Sequence, residues 1–294
     1  MKIASLLLLT LAAPSRGDDC APTTGDAGLA SDLKQVVDAQ GPRDGGAYMV
    51  YFGTSRPSHV PLTDGQLMAI GSWGTCSGTV VAGPWVLTAN HCQIQVGQRF
   101  CVGQYADAPV ACAQALQVHR NPNADMTLVK LTQDLTRTVE GLEPIPLLTE
   151  DLGEGWIGEI AEASGYGQQE DGGYGEREFT AEPIVDLAGH ELTIDGERRH
   201  GVCFGDSGGP VMVIDSSGTS CVAGDLSWGD PDCLGQDRYT RVDTNRAWLE
   251  SLLGPLEKLR APPPVTTSDA EPDEEIELPD FTTSEGMWVE PDGR

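Results

Sequence analysis

Residues 203–210 read CFGDSGGP and place one serine, Ser207, among several glycines. Glycine permits a tight turn and a close approach of backbone N–H groups, so this segment can present a hydroxyl nucleophile beside oxyanion donors. A serine hydroxyl is a weak nucleophile at neutral pH, and it needs a base to take its proton and an acid to orient that base. The rest of the chain must therefore supply a histidine and an acidic residue.

Two upstream segments supply these groups. Residues 85–92 (WVLTANHC) read as a buried β-strand that runs into a turn and brings His91 to the end of the strand. Residues 124–131 (ADMTLVKL) place Asp125 at the start of another apolar strand. An imidazole base and a carboxylate that fixes its tautomer are the partners that a serine nucleophile requires.

In this order the three segments resemble the motifs TAxHC, DIALLKL and GDSGGP of the chymotrypsin/trypsin family of serine endopeptidases. Weaker matches follow the same order at residues 163–167 (ASGYG), 227–229 (SWG) and 239–242 (YTRV). The resemblance covers residues 36–254 and implies an all-β fold, with two six-stranded antiparallel Greek-key β-barrels and a C-terminal helix.

The resemblance also implies a role for each residue. Ser207 attacks the peptide carbonyl, His91 accepts and returns the proton, and Asp125 holds the imidazole. The amides of Gly205 and Ser207 form the oxyanion hole. An exported protease-like binding or regulatory protein that does no chemistry stays open as an alternative. An esterase could use the same triad, but α/β-hydrolases order it differently.

The substrate pocket departs from the usual pattern. Gly201 stands where trypsin-like members carry an aspartate at the pocket floor, and Ser227, Trp228 and Gly229 form the substrate-binding strand. Asp237 falls where many members carry a glycine on the pocket wall, which favours a basic or broad preference for the residue before the scissile bond. The alternative is that Asp237 is a solvated loop residue and the pocket takes a large apolar side chain.

Activation is the least regular feature of the sequence. Zymogens of the family are cut before an IVGG segment, and the new α-amine pairs with the aspartate beside the catalytic serine, which is Asp206 here. The nearest upstream match is residues 36–39 (VVDA), which lacks both glycines. We therefore expect processing between Lys34 and Val36.

Eight cysteines with no CxxC pair indicate disulfides in an oxidising compartment. The resemblance implies the bridges Cys76–Cys92 and Cys203–Cys233. Cys101–Cys112 is the simplest local bridge, because the two residues flank a stretch that could form a hairpin. Cys20 and Cys221 remain and would pair by elimination, while a free or intermolecular Cys20 stays open.

The chain divides into four parts. Residues 1–17 predict a secretory signal peptide, since Lys2 precedes an apolar run that is too short to cross a bilayer. Residues 18–35 are a candidate pro-segment, residues 36–254 form the protease domain, and residues 255–294 predict an acidic, Pro-rich disordered tail. We expect a secreted or periplasmic monomer.

The formal net charge of −27 limits the classes of molecule that the protein is expected to bind. A polyanion would be repelled, so nucleic acid is excluded, and acidic membranes are disfavoured. Protein or peptide substrates are expected, with an activating protease or a protein inhibitor as further partners. No cofactor or metal is expected, because the acidic loop at residues 170–173 lacks the ligand spacing of an EF-hand.

Overall fold

Two closed antiparallel barrels of six strands each form the part of the chain that the structure describes, residues 50–260 of a computed structural model. The predicted signal peptide, the candidate pro-segment, Cys20 and nearly all of the predicted tail lie outside these residues. The first barrel has the order β1-β2-β3-β6-β5-β4. Its strands are β1 (Ile70–Ser72), β2 (Ser77–Ala82), β3 (Trp85–Thr88), β4 (Arg99–Val102), β5 (Ala111–Arg120) and β6 (Thr127–Leu131).

The second barrel repeats that topology. Its order is β10-β11-β12-β9-β8-β7, which follows the same path around the barrel as the first. Its strands are β7 (Ile160–Gly165), β8 (Glu178–Ala188), β9 (Glu191–Asp195), β10 (Pro210–Ile214), β11 (Ser220–Trp228) and β12 (Gln236–Arg241). Closure pairs the end strands, β1 with β4 and β10 with β7, so neither barrel leaves a long unpaired edge. The predicted all-β, two-barrel fold is confirmed.

Short helices complete the described chain. They are α1 (Asp64–Leu67), α2 (Leu135–Thr138) and α3 (Arg246–Leu253), with 3₁₀ turns at Glu154–Trp156, Asp243–Asn245 and Leu256–Lys258. Helix α3 is the expected C-terminal helix: Leu249 is buried in the core, and Gly254 ends the helix with φ of 80°. None of the helices within residues 50–260 is long and apolar enough to cross a membrane.

The apolar core continues from one barrel to the other. Side chains of the first barrel, such as Leu87 and Phe100, form one cluster with Met212 and Val222 of the second barrel and with Leu249 of α3. A separate cluster fills the interior of the second barrel. The barrels are therefore packed against each other through apolar side chains, and this packing fixes the cleft between them.

A buried carboxylate attaches the segment before α1 to the second barrel. Glu162 on β7 is fully buried, and it accepts backbone N–H groups from Ser58 at 2.8 Å, His59 at 2.6 Å and Val60 at 3.0 Å. Hydrogen bonds to an ionised acceptor are stronger than those between neutral groups. The carboxylate holds an otherwise irregular segment across the two barrels.

Replacement of Glu162 by Gln should lower the free energy of unfolding by about 2 kcal/mol, because the amide NH₂ group would face N–H donors that now lack an acceptor. Thermal and denaturant unfolding measure the change. Glu159→Gln, at an exposed position close by on the chain, is the matched control. Equal stability of the two variants would contradict this role for Glu162.

Candidate active site

Two neighbouring strands bring His91 and Asp125 together. Strands β3 and β6 are paired, and Thr88 opposite Thr127 is the last residue pair at one end of this pairing. His91 follows β3 by three residues and Asp125 precedes β6 by two, so both lie just beyond the same end of the ladder. His91 Nδ1 is 2.6 Å from Asp125 Oδ2, and the His91 backbone N–H donates to Asp125 Oδ1 at 2.8 Å.

The second barrel also holds the Asp125 carboxyl group. Ser227 Oγ donates to Asp125 Oδ2 at 2.7 Å, and Thr240 Oγ1 donates to the Asp125 carbonyl at 3.1 Å. Burial alone would raise the pKa of Asp125, but the hydrogen bonds from His91 and Ser227 outweigh it and lower that pKa below its usual value. The group is a carboxylate that can fix the His91 tautomer with Nδ1 protonated.

Ser207 lies in a turn between the barrels. Its carbonyl accepts the backbone N–H of Ser77 on β2 at 2.8 Å, and the next amide, of Gly208, donates to Leu226 at 2.9 Å. Gly208 has φ of 77°, and a Cβ there would lie 2.2 Å from Thr88 Oγ1. Only glycine fits this position without displacement of the first barrel.

Ser207 and His91 line the same cavity, which has a volume of about 430 Å³. The other walls include Val202, Trp228 and Gly229. Within residues 50–260, no hydrogen bond joins Ser207 Oγ to the His91 ring. Catalytic hydrogen bonds are often long before substrate binds, so the shared cavity is the relevant geometry.

The turn before Ser207 presents two unused backbone donors. Gly205 has φ of 105°, a conformation that side chains rarely adopt. In the described part of the chain, neither the Gly205 N–H nor the Ser207 N–H donates to an acceptor. Two free N–H groups in one turn beside a nucleophile are what an oxyanion site requires.

Asp206 points away from the cavity into the protein. It is fully buried, and it accepts the N–H of Cys203 at 2.8 Å and of Gly167 at 2.7 Å. Burial raises its pKa to about 6. No basic side chain pairs with it among residues 50–260. Val36, which the sequence predicts as its partner, lies outside those residues.

Asp237 lies between the two glycines of the predicted pocket. It is fully buried and accepts the N–H of Val202 at 3.1 Å and of Asp230 at 3.0 Å. A Cβ built on Gly201 would lie 3.3 Å from one of its oxygens, and a Cβ on Gly229 would lie 3.0 Å from the other. The alternative of a solvated loop residue is therefore wrong.

A second buried acid accompanies Asp237 and was missed in the sequence. Burial, followed by the charge of Glu182, raises the pKa of Asp237 to about 8. Glu182 on β8 is fully buried, and it accepts from Thr180 Oγ1 at 3.1 Å and lies 3.4 Å from His200 Nδ1. The alternation of side chains along β8 could have predicted the burial of Glu182, since Glu182 lies between Thr180 and Ile184 on the inward face of the strand.

Three disulfides agree with the predicted pairings. Cys76–Cys92, Cys101–Cys112 and Cys203–Cys233 are bonded, with S–S distances of 2.02, 2.12 and 2.08 Å. Cys221 has no disulfide partner among residues 50–260, and burial raises the pKa of its thiol to about 12. Its predicted partner Cys20 lies outside the described residues, so that pairing stays a prediction.

A metal is not supported by the cysteine and histidine cluster at the site. Cys76, Cys92 and His91 lie close together, but both sulfur atoms belong to one disulfide. A disulfide offers no thiolate ligand.

Comparison with known proteins agrees with this geometry. The family model described as Trypsin matches residues 54–249. Clotting factor C of Tachypleus tridentatus and Limulus clotting factor C of Carcinoscorpius rotundicauda are each 26% identical to the chain over 230 residues. The match covers 60% of this chain and 22% of each relative, so the chain corresponds to a small part of those proteins. The family match spans both barrels and every residue of the cluster around Ser207, and the chain belongs to the trypsin-like serine protease family.

Proposed function

We propose that the protein is a secreted serine endopeptidase that uses Ser207, His91 and Asp125. The observation that carries the proposal is the doubly hydrogen-bonded His91–Asp125 pair beside the cavity that Ser207 also lines. Secretion is supported by the three disulfides, which are typical of exported proteins. Protein or peptide substrates, an activating protease and a protein inhibitor are the partners proposed for a monomer of this kind.

Each residue of the site has a defined step in the reaction. His91 takes the hydroxyl proton of Ser207 as Oγ bonds to the peptide carbonyl carbon, and the carbonyl oxygen becomes an oxyanion held by the N–H groups of Gly205 and Ser207. His91 then donates the proton to the leaving amine, the C–N bond breaks, and an acyl ester remains on Ser207. A water molecule deprotonated by His91 hydrolyses that ester and restores the enzyme.

Substitution of the triad tests the mechanism. Asp125→Asn should lower kcat by about 10⁴-fold, the size known for this change in other serine proteases, because the imidazole loses its fixed tautomer. An unchanged kcat in Asp125→Asn would exclude this role for the His91–Asp125 pair. Asp134→Asn, at the start of α2, is the matched control.

The inactive alternative is tested separately. A fluorophosphonate probe labels a serine that a neighbouring base activates, so Ser207 of the processed protein should react and Ser207→Ala should not. Absence of labelling in the processed protein would favour a protease-like binding or regulatory protein.

The buried position of Asp237 supports a basic preference for the residue before the scissile bond. Its carboxyl group lies against Gly201 and Gly229, the two positions where a larger side chain would close the pocket. At neutral pH the empty pocket keeps Asp237 protonated, because its pKa is raised to about 8. A guanidinium or ammonium group from the substrate would favour the ionised form and lower that pKa.

The preference for Arg over Leu should therefore depend on pH. The ratio of the two kcat/KM values should increase as pH rises through about 8, where Asp237 ionises without help from the substrate. Asp237→Asn should lower the ratio by roughly tenfold or more and remove its pH dependence. Asp232→Asn, an exposed acid in the loop before β12, is the control. An unchanged Arg preference in Asp237→Asn would contradict the acidic pocket.

We also propose Val50 as a candidate activation site, because its described surroundings place it close to Asp206. Val50 is fully buried, Tyr51 pairs with Gly201, and Thr54 pairs with Phe179. Gly201 lies two residues before Cys203, which donates its N–H to Asp206, so the chain enters the barrel beside Asp206.

Two further observations favour a cut before Val50. Val50 has φ of 58°, which strains a β-branched residue, and cleavage of the Met49–Val50 bond would release that constraint. Glu178, the neighbour of Phe179, is buried with Oε2 unpaired within the described range, so a new ammonium group would meet a second carboxyl beside Asp206.

Amino-terminal sequencing of the active protein should read Val50-Tyr51-Phe52. Asp206→Asn should be cut normally but gain little activity, because the new terminus would lack its charge partner. Asp171→Asn, an exposed acid in the loop between β7 and β8, is the control. An active protein that begins at Val36 would favour the sequence-based site, and one that begins near Asp18 would exclude both.

A further inference from the structure

A second acid lies behind the pair formed by His91 and Asp125. Asp225 on β11 precedes Ser227 by two residues, and alternate side chains of a strand share one face. The pairing of β11 with β12 places Asp225 opposite Thr240. Ser227 donates to the carboxyl group of Asp125 and Thr240 donates to its carbonyl. The face of β11 and β12 that holds Asp125 therefore also carries Asp225.

The carboxyl group of Asp225 has no hydrogen-bond partner in the part of the chain that the structure describes. The residue is 1% exposed, and both Oδ1 and Oδ2 are unpaired among residues 50–260. Its neighbours across the strands, Pro210 and Thr240, are uncharged. No basic side chain of the described range forms an ion pair with it. A buried polar group without partners lowers stability, so its presence calls for an explanation other than packing.

The surroundings of Asp125 and Asp225 differ, and the difference decides which of them holds a proton. Three groups donate to Asp125, namely the backbone N–H and the ring of His91 and the hydroxyl of Ser227. Burial opposes them, but the hydrogen bonds prevail and lower the pKa of Asp125. Burial, followed by the charge of Asp125, raises the pKa of Asp225 well above its usual value. The proton therefore resides on Asp225, and the two carboxyl groups together carry one negative charge.

We propose that Asp225 is a positioning residue that acts through Asp125 and sets how strongly the catalytic pair holds the proton taken from Ser207. The proposal rests on the proposed peptidase function and adds a further acid to its site. As a neutral acid, Asp225 leaves a single negative charge beside the imidazole. When Asp225 gives up its proton to solvent at alkaline pH, a second negative charge arises behind Asp125. That charge stabilises the imidazolium that forms as Ser207 attacks the substrate.

The pH dependence of peptide hydrolysis by the processed protein tests this role. Asp225→Asn is neutral at every pH and shares all other titrating groups with the wild type. The ratio of wild-type to variant kcat/KM should increase by roughly tenfold from neutral to alkaline pH, as Asp225 ionises in the wild type alone. Asp186→Asn, at an exposed position on β8 of the same barrel, is the control, and its ratio should not change with pH.

A second variant distinguishes this role from a structural one. Asp225→Val replaces the unpaired acid by an apolar side chain that suits a buried strand, so its Tm should exceed that of the wild type. The difference in Tm should widen as pH rises, because a carboxyl group with a raised pKa in the folded state stabilises the fold less at higher pH. The alkaline increase in kcat/KM should be absent in this variant too. A lower Tm, or an alkaline increase that survives in either variant, would contradict the proposal.

Nuclear magnetic resonance separates the proposal from the function on which it rests. In Ser207→Ala, the ring signals of His91 should shift for a second time at alkaline pH, and the added change Asp225→Asn should remove that second shift. This measurement needs no turnover. If the second shift occurs while the wild type hydrolyses no peptide, the peptidase function alone fails and the coupling of Asp225 to His91 stands. Ring signals of His91 that do not respond to Asp225 would overturn its role, even in an active protease.

Discussion

The site depends on the hydrogen bonds to the carboxyl group of Asp125, because both barrels contribute donors to it. The first barrel contributes the ring and backbone N–H of His91, and the second contributes the hydroxyl of Ser227. Thr240 of the second barrel also donates to the backbone carbonyl of Asp125. Removal of either barrel would leave the acid poorly oriented and partly unsatisfied. The apolar packing that runs from Phe100 to Met212 is therefore a condition for catalysis as well as for folding.

Among residues 50–260, the second barrel buries Asp206 and Asp237 without a basic partner, in a chain of 45 acidic and 18 basic residues. Backbone N–H groups take the place of cations at Asp206 and Asp237, and burial raises the two pKa values from 3.8 to about 6 and about 8. Between pH 3.8 and these raised pKa values, each carboxyl group therefore binds more protons in the folded state than in the unfolded state. Each group stabilises the fold most at low pH, and its contribution falls as pH rises from about 4 towards its folded pKa.

Local sequence was sufficient to select the residues proposed as the triad, because His91 and Asp125 each lie within three residues of a strand end and Ser207 lies in a glycine turn. Local sequence was insufficient for features that depend on contacts between residues far apart in the chain. The burial of Asp237 follows from the register of β12 against β9, which the short loop after Cys233 obscures in the sequence. The hydrogen bond from the Tyr174 hydroxyl to the Gly74 carbonyl joins residues 100 positions apart, and no hydrophobic periodicity or motif in the sequence predicts it.

The loop between β7 and β8 is attached to the turn that we propose as the oxyanion site. Gly167 donates its N–H to Asp206 at 2.7 Å, and Gln168 donates to the carbonyl of Phe204 at 2.8 Å. An ammonium group that pairs with Asp206 would therefore affect both the loop at Gly167 and Gln168 and the turn at Phe204. Because Gly205 follows Phe204 and lies against the Tyr174 ring, a charge beside Asp206 would order the proposed oxyanion donor and this loop together.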